Sequence, residues 1–386
     1  MNLPAFPGRA GIQQRVLPLY RQAFLDMLAQ ACQGGLSVFA GEALPEENVK
    51  ATNVLQHAIY YPARNYNFFP ISSSLYQCWQ GGLLSWLKTW QPDVLVVEAN
   101  TRYPSTRLAI RWMHARGRPV IGWGLGAPPA DPHVHSMLSP AQRLLLRWRM
   151  WERITFLRSL DGLIAYSQRG AEQYRKLGLP YDQIHVAPNA VSPRPASPIP
   201  PARRAAIEGP ATVLYVGRLQ TRKRIDHLIQ ACANMPQDIK PMLVVVGDGP
   251  ARSELEELAA KIYPTTEFLG ARHGDELAGI FQAADLFVLP GTGGLAIQQA
   301  MTYALPVIVA EGDGTQDDLV RQENGFLIPP DDVPALQRAL TAALSDLGKL
   351  RRMGDASYRI VYEEANLEAM VAAFVRSILM AERRSS

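Results

Sequence analysis

A run of 25 residues without one charged side chain, Leu286 to Ala310 (LFVLPGTGGLAIQQAMTYALPVIVA), constrains this chain more than any other stretch. It is long enough to suggest a membrane span. Pro290, Gly291, Gly293, Gly294 and Pro306 would break a spanning helix, however, and Gln298 and Gln299 would sit unpaired in lipid. The remaining order is an apolar strand LFVL, a glycine turn, a helix over Leu295 to Ala304 and a second strand. The first-turn N–H groups of that helix lack intrahelical partners, and glycines let an anion approach the backbone closely. A tight strand-to-helix connection in any parallel sheet would look the same, so this loop alone leaves both readings open.

A chain of 386 residues exceeds one ordinary core, so two α/β domains are expected. Charge is unevenly placed. Residues 1–190 hold 19 Lys/Arg against 11 Asp/Glu, and residues 191–386 hold 20 against 24. The basic first half suits acidic substrates, nucleic acid or anionic headgroups without choosing among them. Cys32, Cys78 and Cys232 are far apart and have no metal-ligand spacing, which reads as reduced, buried thiols in a cytosolic protein. MNLPAFPGRAG lacks the apolar segment of a signal peptide, and no span is expected elsewhere.

In chain order, IQQRVLPLY is the first strand, followed by a helix over Arg21 to Ala31 and the strand LSVFA. Next come a helix over Ser74 to Trp90, the buried strand PDVLVVEAN, a helix over Ser105 to Arg116 and the strand RPVIGWG. Such alternation demands a parallel sheet with right-handed crossovers. The loop GLGAPPADPHVH leaves the carboxyl end of RPVIGWG, where open sheets bind ligands. His133 and His135 are thus candidates for acceptor contact or proton handling, or solvated loop histidines.

Pro140 to Leu160 predicts a long helix. Leu144, Trp148, Trp151 and Thr155 form a narrow arginine-free stripe, with Arg143, Arg147, Arg149, Arg153 and Arg158 over the opposite half. Such a surface either rests on an anionic membrane or packs its stripe against the scaffold. DGLIAYS and IHVAPNAV close the first domain.

Residues 192–210 (SPRPASPIPPARRAAIEGP) read as an interdomain linker. The alternation then restarts: TVLYVGRL, a helix over Ile225 to Ala233, MLVVVGDGP, a helix over Ala251 to Ile262, TTEFLG, and a helix over Asp275 to Ala283. The charge-free run follows, then Thr315 to Arg321, NGFLIP and helices over Val333 to Leu347 and Leu367 to Met380. The boundaries predicted are 1–191, a linker 192–210, 211–365, and a C-terminal helix 366–386 able to pack back on the first domain.

VGRLQTRKR puts Arg218 directly after a buried strand and Lys223 five residues later, at the next helix start. Both are then within reach of one anionic ligand, such as the diphosphate of a leaving group. Taken singly they read equally as surface charges. GDGP (Gly247 to Pro250) is weak alone, and the weight lies in three glycine loops ending three strands of one domain.

VGRL with its lysine, VVVGDGP, EFLG, AADLFVLP, QAMTYALPVIV and ENGFLIP, in this order, resemble the C-terminal domain of the retaining family-4 glycosyltransferases. The likeness is strong over residues 211–346 and reaches the first domain only through DGLIAYS and VAPNAV. It implies a GT-B fold, in which two Rossmann-like α/β domains with parallel sheets face each other across a cleft. It also implies sugar transfer from a nucleotide-sugar donor with retention and without a metal or other cofactor. By position, Arg218 and Lys223 are the catalytic candidates on the donor diphosphate. Gly217, Gly247, Gly249, Gly270, Arg272, Gly291, Gly293, Gly294, Leu295 and Gln299 are the donor-binding set, and Glu267 to Gly270 with Arg272 flank the nucleobase. Asp317 falls near an acidic position of the family. On the acceptor side stand Gly11, Gly126, His133 and His135.

Two departures stand out. The family carries two glutamates with seven residues between them around its glycine loop, and here those positions hold Gly291 and Gln299. Gln299 still accepts through its amide oxygen, as a weaker partner, whereas Gly291 offers only backbone. The family's His-Asp pair after the fifth strand is replaced by Trp123 and Gly124. Either the amides of Gly293 and Gly294 grip the donor in a divergent enzyme, or the protein binds without transferring. A nicotinamide enzyme is disfavoured, since no GxGxxG with a downstream acid follows the first strand. The partners expected are a nucleotide-sugar and a glycan or lipid-linked acceptor at the inner membrane face, with no nucleic acid, and the location expected is cytoplasmic or peripheral on that membrane.

Overall fold

The computed structural model describes residues 3–47, 49–127, 139–202 and 209–385. The chain divides into two units: Met1–Asn189 with Leu367–Ser386, and Ala190–Asn366.

In the first unit, β1 (Ala10–Val16), β2 (Leu36–Gly41) and β3 (Ile59–Pro62) precede an antiparallel hairpin of β4 (Arg64–Phe68) and β5 (Gln77–Gly81). Strands β6 (Val94–Glu98), β7 (Val120–Gly124), β8 (Gly162–Ala165) and β9 (Ile184–Val186) follow. The seven-stranded parallel sheet runs β3-β2-β1-β6-β7-β8-β9. Its strand order reverses between β1 and β6, the switch point beyond which such sheets open a crevice. Trp86 anchors one face, stacked on Phe39 at 5.1 Å and donating from Nε1 to Ser37 Oγ at 2.9 Å. The terminal helix Leu367–Ser385 packs here too, with Phe374 edge-on to Phe24 at 4.8 Å and to Trp123 at 4.9 Å.

The helix expected over Ser74 to Trp90 begins only at Leu83, because QCWQG alternates and turns Cys78 and Gln80 inward as a strand before Gly82 breaks the chain at φ +87°. The first strand stops at Val16, and Pro18 leads into a single 3₁₀ turn at Leu19–Arg21.

The second unit holds β10 (Thr212–Val216), β11 (Met242–Val246), β12 (Thr266–Gly270), β13 (Leu286–Leu289), β14 (Val307–Ala310) and β15 (Gly325–Ile328) in a parallel sheet of order β12-β11-β10-β13-β14-β15. The charge-free run becomes β13, a loop, the helix Leu295–Thr302 and β14, with every residue of both strands buried. That burial is why the run carries no charge, since each such side chain contributes about 1.5–3 kcal/mol on leaving water. Asp285, just before β13, ties two elements together: it accepts from Thr212 N at 2.9 Å and pairs with Arg351 at 2.8 Å. Arg351 lies on the helix Leu347–Glu363, which was not expected between those over Val333 to Leu347 and Leu367 to Met380; Asp346 caps its start by accepting from Lys349 N. The early linker lies along this helix, Tyr358 Oη donating to Ser197 O at 2.7 Å. The three cysteines are buried free thiols, and burial pushes them up to about 12, 11 and 12 at Cys32, Cys78 and Cys232.

Candidate functional site

The second sheet's strand order reverses between β10 and β13, so the loops leaving those two strands meet at its switch point. The first loop carries Gly217 to Arg224 and the second Pro290 to Gly294. They are stitched together: Thr292 N donates to Arg222 O at 3.2 Å, and Lys223 Nζ donates to Thr292 O at 2.5 Å. Arg222 reaches Gln220 Oε1 at 3.1 Å and Thr292 Oγ1 at 3.4 Å. Neither Arg218, Arg222 nor Lys223 has a carboxylate within ion-pair distance among the described residues, whereas nearby Arg224 and Arg272 pair with Asp331 and Glu276. Burial, and then the adjacent Arg222 charge, lowers the Lys223 ammonium from its ordinary value to about 8. A cluster of cations left unmatched at a switch point can take an anion with several oxygens.

The glycines divide into two kinds. A Cβ on Gly247, which has φ +142°, would lie 1.8 Å from Gly217 O, and one on Gly249 would lie 2.2 Å from Leu219 O. These loops need glycine because neighbouring backbone occupies the space, with Gly217 N bonded to Val246 O and Gly247 N to Gly270 O. Gly291 is of the same kind: its Cβ would meet Arg222 O at 2.4 Å and Lys223 Cα at 2.6 Å. A glutamate there has no room, which is the physical reason for the departure at this position. Gly293, at φ +87°, differs in that a Cβ would meet only the Lys223 ammonium, at 2.8 Å. Gly294 precedes the helix at Leu295 without a side-chain cap.

The two adjacent glutamines part company. Gln298 is buried, accepts from Val191 N at 2.6 Å and donates to Ala365 O, holding both ends of the second unit's chain. Gln299 is half-buried, and its side chain makes no hydrogen bond among the described residues. Arg272 lies exposed beyond Gly270 at the end of β12, the edge strand, with Glu267 on the same strand. Asp317 is half-buried in the turns that lead to β15.

In the first unit, a cleft of about 420 Å³ opens over the carboxyl ends of β1, β6 and β7. Gln14, Arg21, Glu98, Trp123, Gly126 and Tyr166 line it. Arg15 N donates to Glu98 at 3.0 Å, while burial raises the carboxyl above its ordinary range. Gly126 takes φ +119° and donates to Tyr174 Oη at 3.2 Å. Gly11 does not reach this cleft: it sits at the amino end of β1, where a Cβ would meet Trp86 at 3.1 Å and Leu95 at 3.3 Å. Its smallness serves core packing. His133 and His135 lie outside the described residues. The arginine-free stripe of Pro140–Arg158 is not packed as a scaffold would require: Leu144 is 69% exposed, Trp148 56% and Trp151 63%. Arg21, Arg222 and Thr292 escaped the sequence reading because no local pattern marks them. Among the described residues, no cluster of three or more His, Cys, Asp or Glu could hold a metal, and no helix is long and apolar enough to cross a membrane.

Residues 36–194 match the family model Glycosyltransferase Family 4, and residues 201–360 match Glycosyl transferases group 1. A GDP-mannose-dependent alpha-mannosyltransferase of Mycobacterium tuberculosis is 36% identical over 163 residues, covering 38% of this chain and 41% of the relative. An uncharacterised glycosyltransferase of Methanocaldococcus jannaschii is 29% identical over 157 residues, 39% of this chain and 40% of the relative. The chain therefore spans about two fifths of the length of these curated relatives. Among solved structures, the lipopolysaccharide outer core galactosyltransferase WaaB superposes with TM-score 0.67 at 18% identity, covering 96% of this chain and 99% of that one. Anabaena HepE in complex with UDP superposes with TM-score 0.68 at 17% identity over 96% and 99%.

Proposed function

With a Family 4 domain followed by a group 1 domain in a GT-B fold, the chain belongs to the glycosyltransferases, and from that premise we propose that it retains configuration while moving a sugar from a nucleotide-sugar donor to a glycan or lipid-linked acceptor. The observation that carries this reading is the pair Arg222 and Lys223, without carboxylate partners among the described residues and stitched to the Thr292 loop at the switch point, with Arg218 on the same loop as the pair. Negative charge grows on a diphosphate as the glycosidic bond breaks, and preorganised donors stabilise that charge without reorganising. No carboxylate stands in the two loops to act as a nucleophile, so the reading is same-face substitution: the acceptor's hydroxyl oxygen attacks the anomeric carbon as the diphosphate leaves from the same face, and a phosphate oxygen of the leaving group takes the hydroxyl's proton. The cations take the role that a metal fills elsewhere, and no cofactor beyond the co-substrate is proposed. Solved relatives whose structures hold UDP support the donor class.

The exposed Leu144, Trp148 and Trp151, interleaved with arginines, support a peripheral seat on an anionic inner membrane face, with the aromatic rings in the headgroup layer. A second reading, a nucleotide-sugar binder without transfer, is favoured by one observation: Gly291 leaves no side chain where the family places a glutamate on the sugar.

A thermal-shift screen of UDP, GDP, ADP and dTDP and their sugars tests the donor class, with Arg218→Ala as control. One nucleotide is expected to raise the melting temperature of the native protein and not of the variant. Affinity without hydrolysis or transfer across an acceptor panel would support the second reading.

A further inference from the structure

The cleft at the first sheet's switch point holds a buried cation, Arg21, that has no ion-pair partner among the described residues and feels the Glu98 carboxyl only at longer range. Arg21 is 3% exposed, and its guanidinium lies over three rings, at 4.5 Å from Trp123, 5.1 Å from Tyr20 and 5.2 Å from Tyr166. Among the described residues the guanidinium makes one hydrogen bond, a long contact of Nη1 with Met370 Sδ at 4.0 Å. No carboxylate comes within ion-pair distance of it among the described residues. Glu98, the one acid lining the cleft among the described residues, accepts from Arg15 N. Aromatic faces hold a guanidinium in place but supply no acceptor for its N–H groups, and an unneutralised buried charge is costly.

Two further polar groups of the same cleft are buried without partners: Gln14 Oε1, an acceptor, and Trp123 Nε1, a donor. Arg102 and Arg153 also line it, giving three arginines to one carboxylate. A buried cation, an idle N–H and an idle carbonyl oxygen around one open space specify a ligand that carries a compact anionic group beside a hydroxyl.

We propose that this cleft takes an acceptor bearing a phosphate, held by the Arg21 guanidinium with help from Trp123 Nε1, while a hydroxyl of the same molecule donates to Gln14 Oε1. The proposal rests on the reading of the chain as a transferase and names the class of its acceptor. The shared chemistry is a phosphate on a hydroxylated body, whether on a soluble sugar or on a lipid headgroup. Specificity then arises because a neutral acceptor leaves Arg21 unneutralised.

The test is calorimetric titration of the full chain with glucose 6-phosphate, short-chain phosphatidic acid below its micellar concentration, inorganic phosphate and glucose. At least one of the two organic phosphates is expected to bind about tenfold or more tightly than glucose and than inorganic phosphate, and which one it is tells a soluble from a lipid source. Arg21→Met, which keeps the stem over Trp123, is expected to lose that advantage, and Arg21→Lys to keep part of it. Gln14→Glu, of nearly the same shape, is expected to weaken the same ligand while leaving Arg21 in place, so a poorly folded Arg21 variant does not close the question. Arg218→Ala is expected to leave this affinity within about twofold while losing nucleotide binding. Phosphate binding that survives Arg21→Met and Gln14→Glu, or that follows Arg218 instead, overturns the proposal, as does equal affinity for glucose and both organic phosphates. A native protein that binds the phosphate through Arg21 but no nucleotide would instead sink the transferase reading and leave this site standing.

Discussion

Lys223 lies across the backbone of Thr292, its ammonium 2.5 Å from the carbonyl oxygen and without a carboxylate partner among the described residues. The sign of its pH response follows from that burial. An ordinary lysine titrates at 10.5, and this one at about 8, so between those values the unfolded chain holds a proton that the folded chain has released. Its contribution to stability is therefore least favourable below 8 and improves as pH rises toward 10.5. Anion binding runs the other way, because it needs the charged form. Nucleoside diphosphate affinity is expected to fall as pH climbs from about 7.5 to 9.5, and in Lys223→Arg to stay nearly flat over that range. Calorimetry across the range checks it, and equal slopes would refute the assignment.

Gly291 abuts Arg222 and Lys223, so Gly291→Ala forces the two loops apart. A loss of about 1–3 kcal/mol in chemical denaturation is expected. Gly291→Glu, which installs the family's residue, is expected to lower turnover by roughly tenfold or more, since the cations move off the diphosphate. A gain in turnover would mean the loops part without harm.

Gln298 and Gln299 separate structure from binding. Gln298→Ala strands Val191 N and Ala365 O and is expected to cost about 1–3 kcal/mol of stability. Gln299→Ala breaks no hydrogen bond, so the melting temperature is expected to hold while the donor KM rises. A reversed pattern in paired melting and kinetic assays would show the roles misassigned.

Trp148→Ala with Trp151→Ala is expected to weaken binding to vesicles containing phosphatidylglycerol by roughly tenfold per ring without altering the melting temperature, since both rings are largely exposed. Arg147→Glu with Arg149→Glu is expected to abolish the salt sensitivity of that binding. Flotation assays at two salt concentrations decide it; unchanged flotation in both variants counts against a membrane seat.

Much of this is legible in the amino-acid sequence. The charge-free run announced β13, its loop and β14, because strands buried on both faces admit no charge. Arg218 and Lys223 stood out because cations rarely follow a buried strand so closely. The hairpin strand Gln77–Gly81 was hidden by its polar glutamines, which mask a period of two. Gly291 showed as a departure, but its reason lay in backbone far back along the chain, at Arg222 and Lys223. Arg21 gave no signal, since Trp123 and Tyr166 become its neighbours only through the order of a parallel sheet.

The helix Leu367–Ser385 sets Phe374 between Phe24 and Trp123 of the unit that begins the chain. The ribosome delivers this last segment only after the whole intervening unit has been made. Until that segment emerges, the faces of Phe24 and Trp123 that Phe374 covers have no partner from it, so the opening unit completes its packing last.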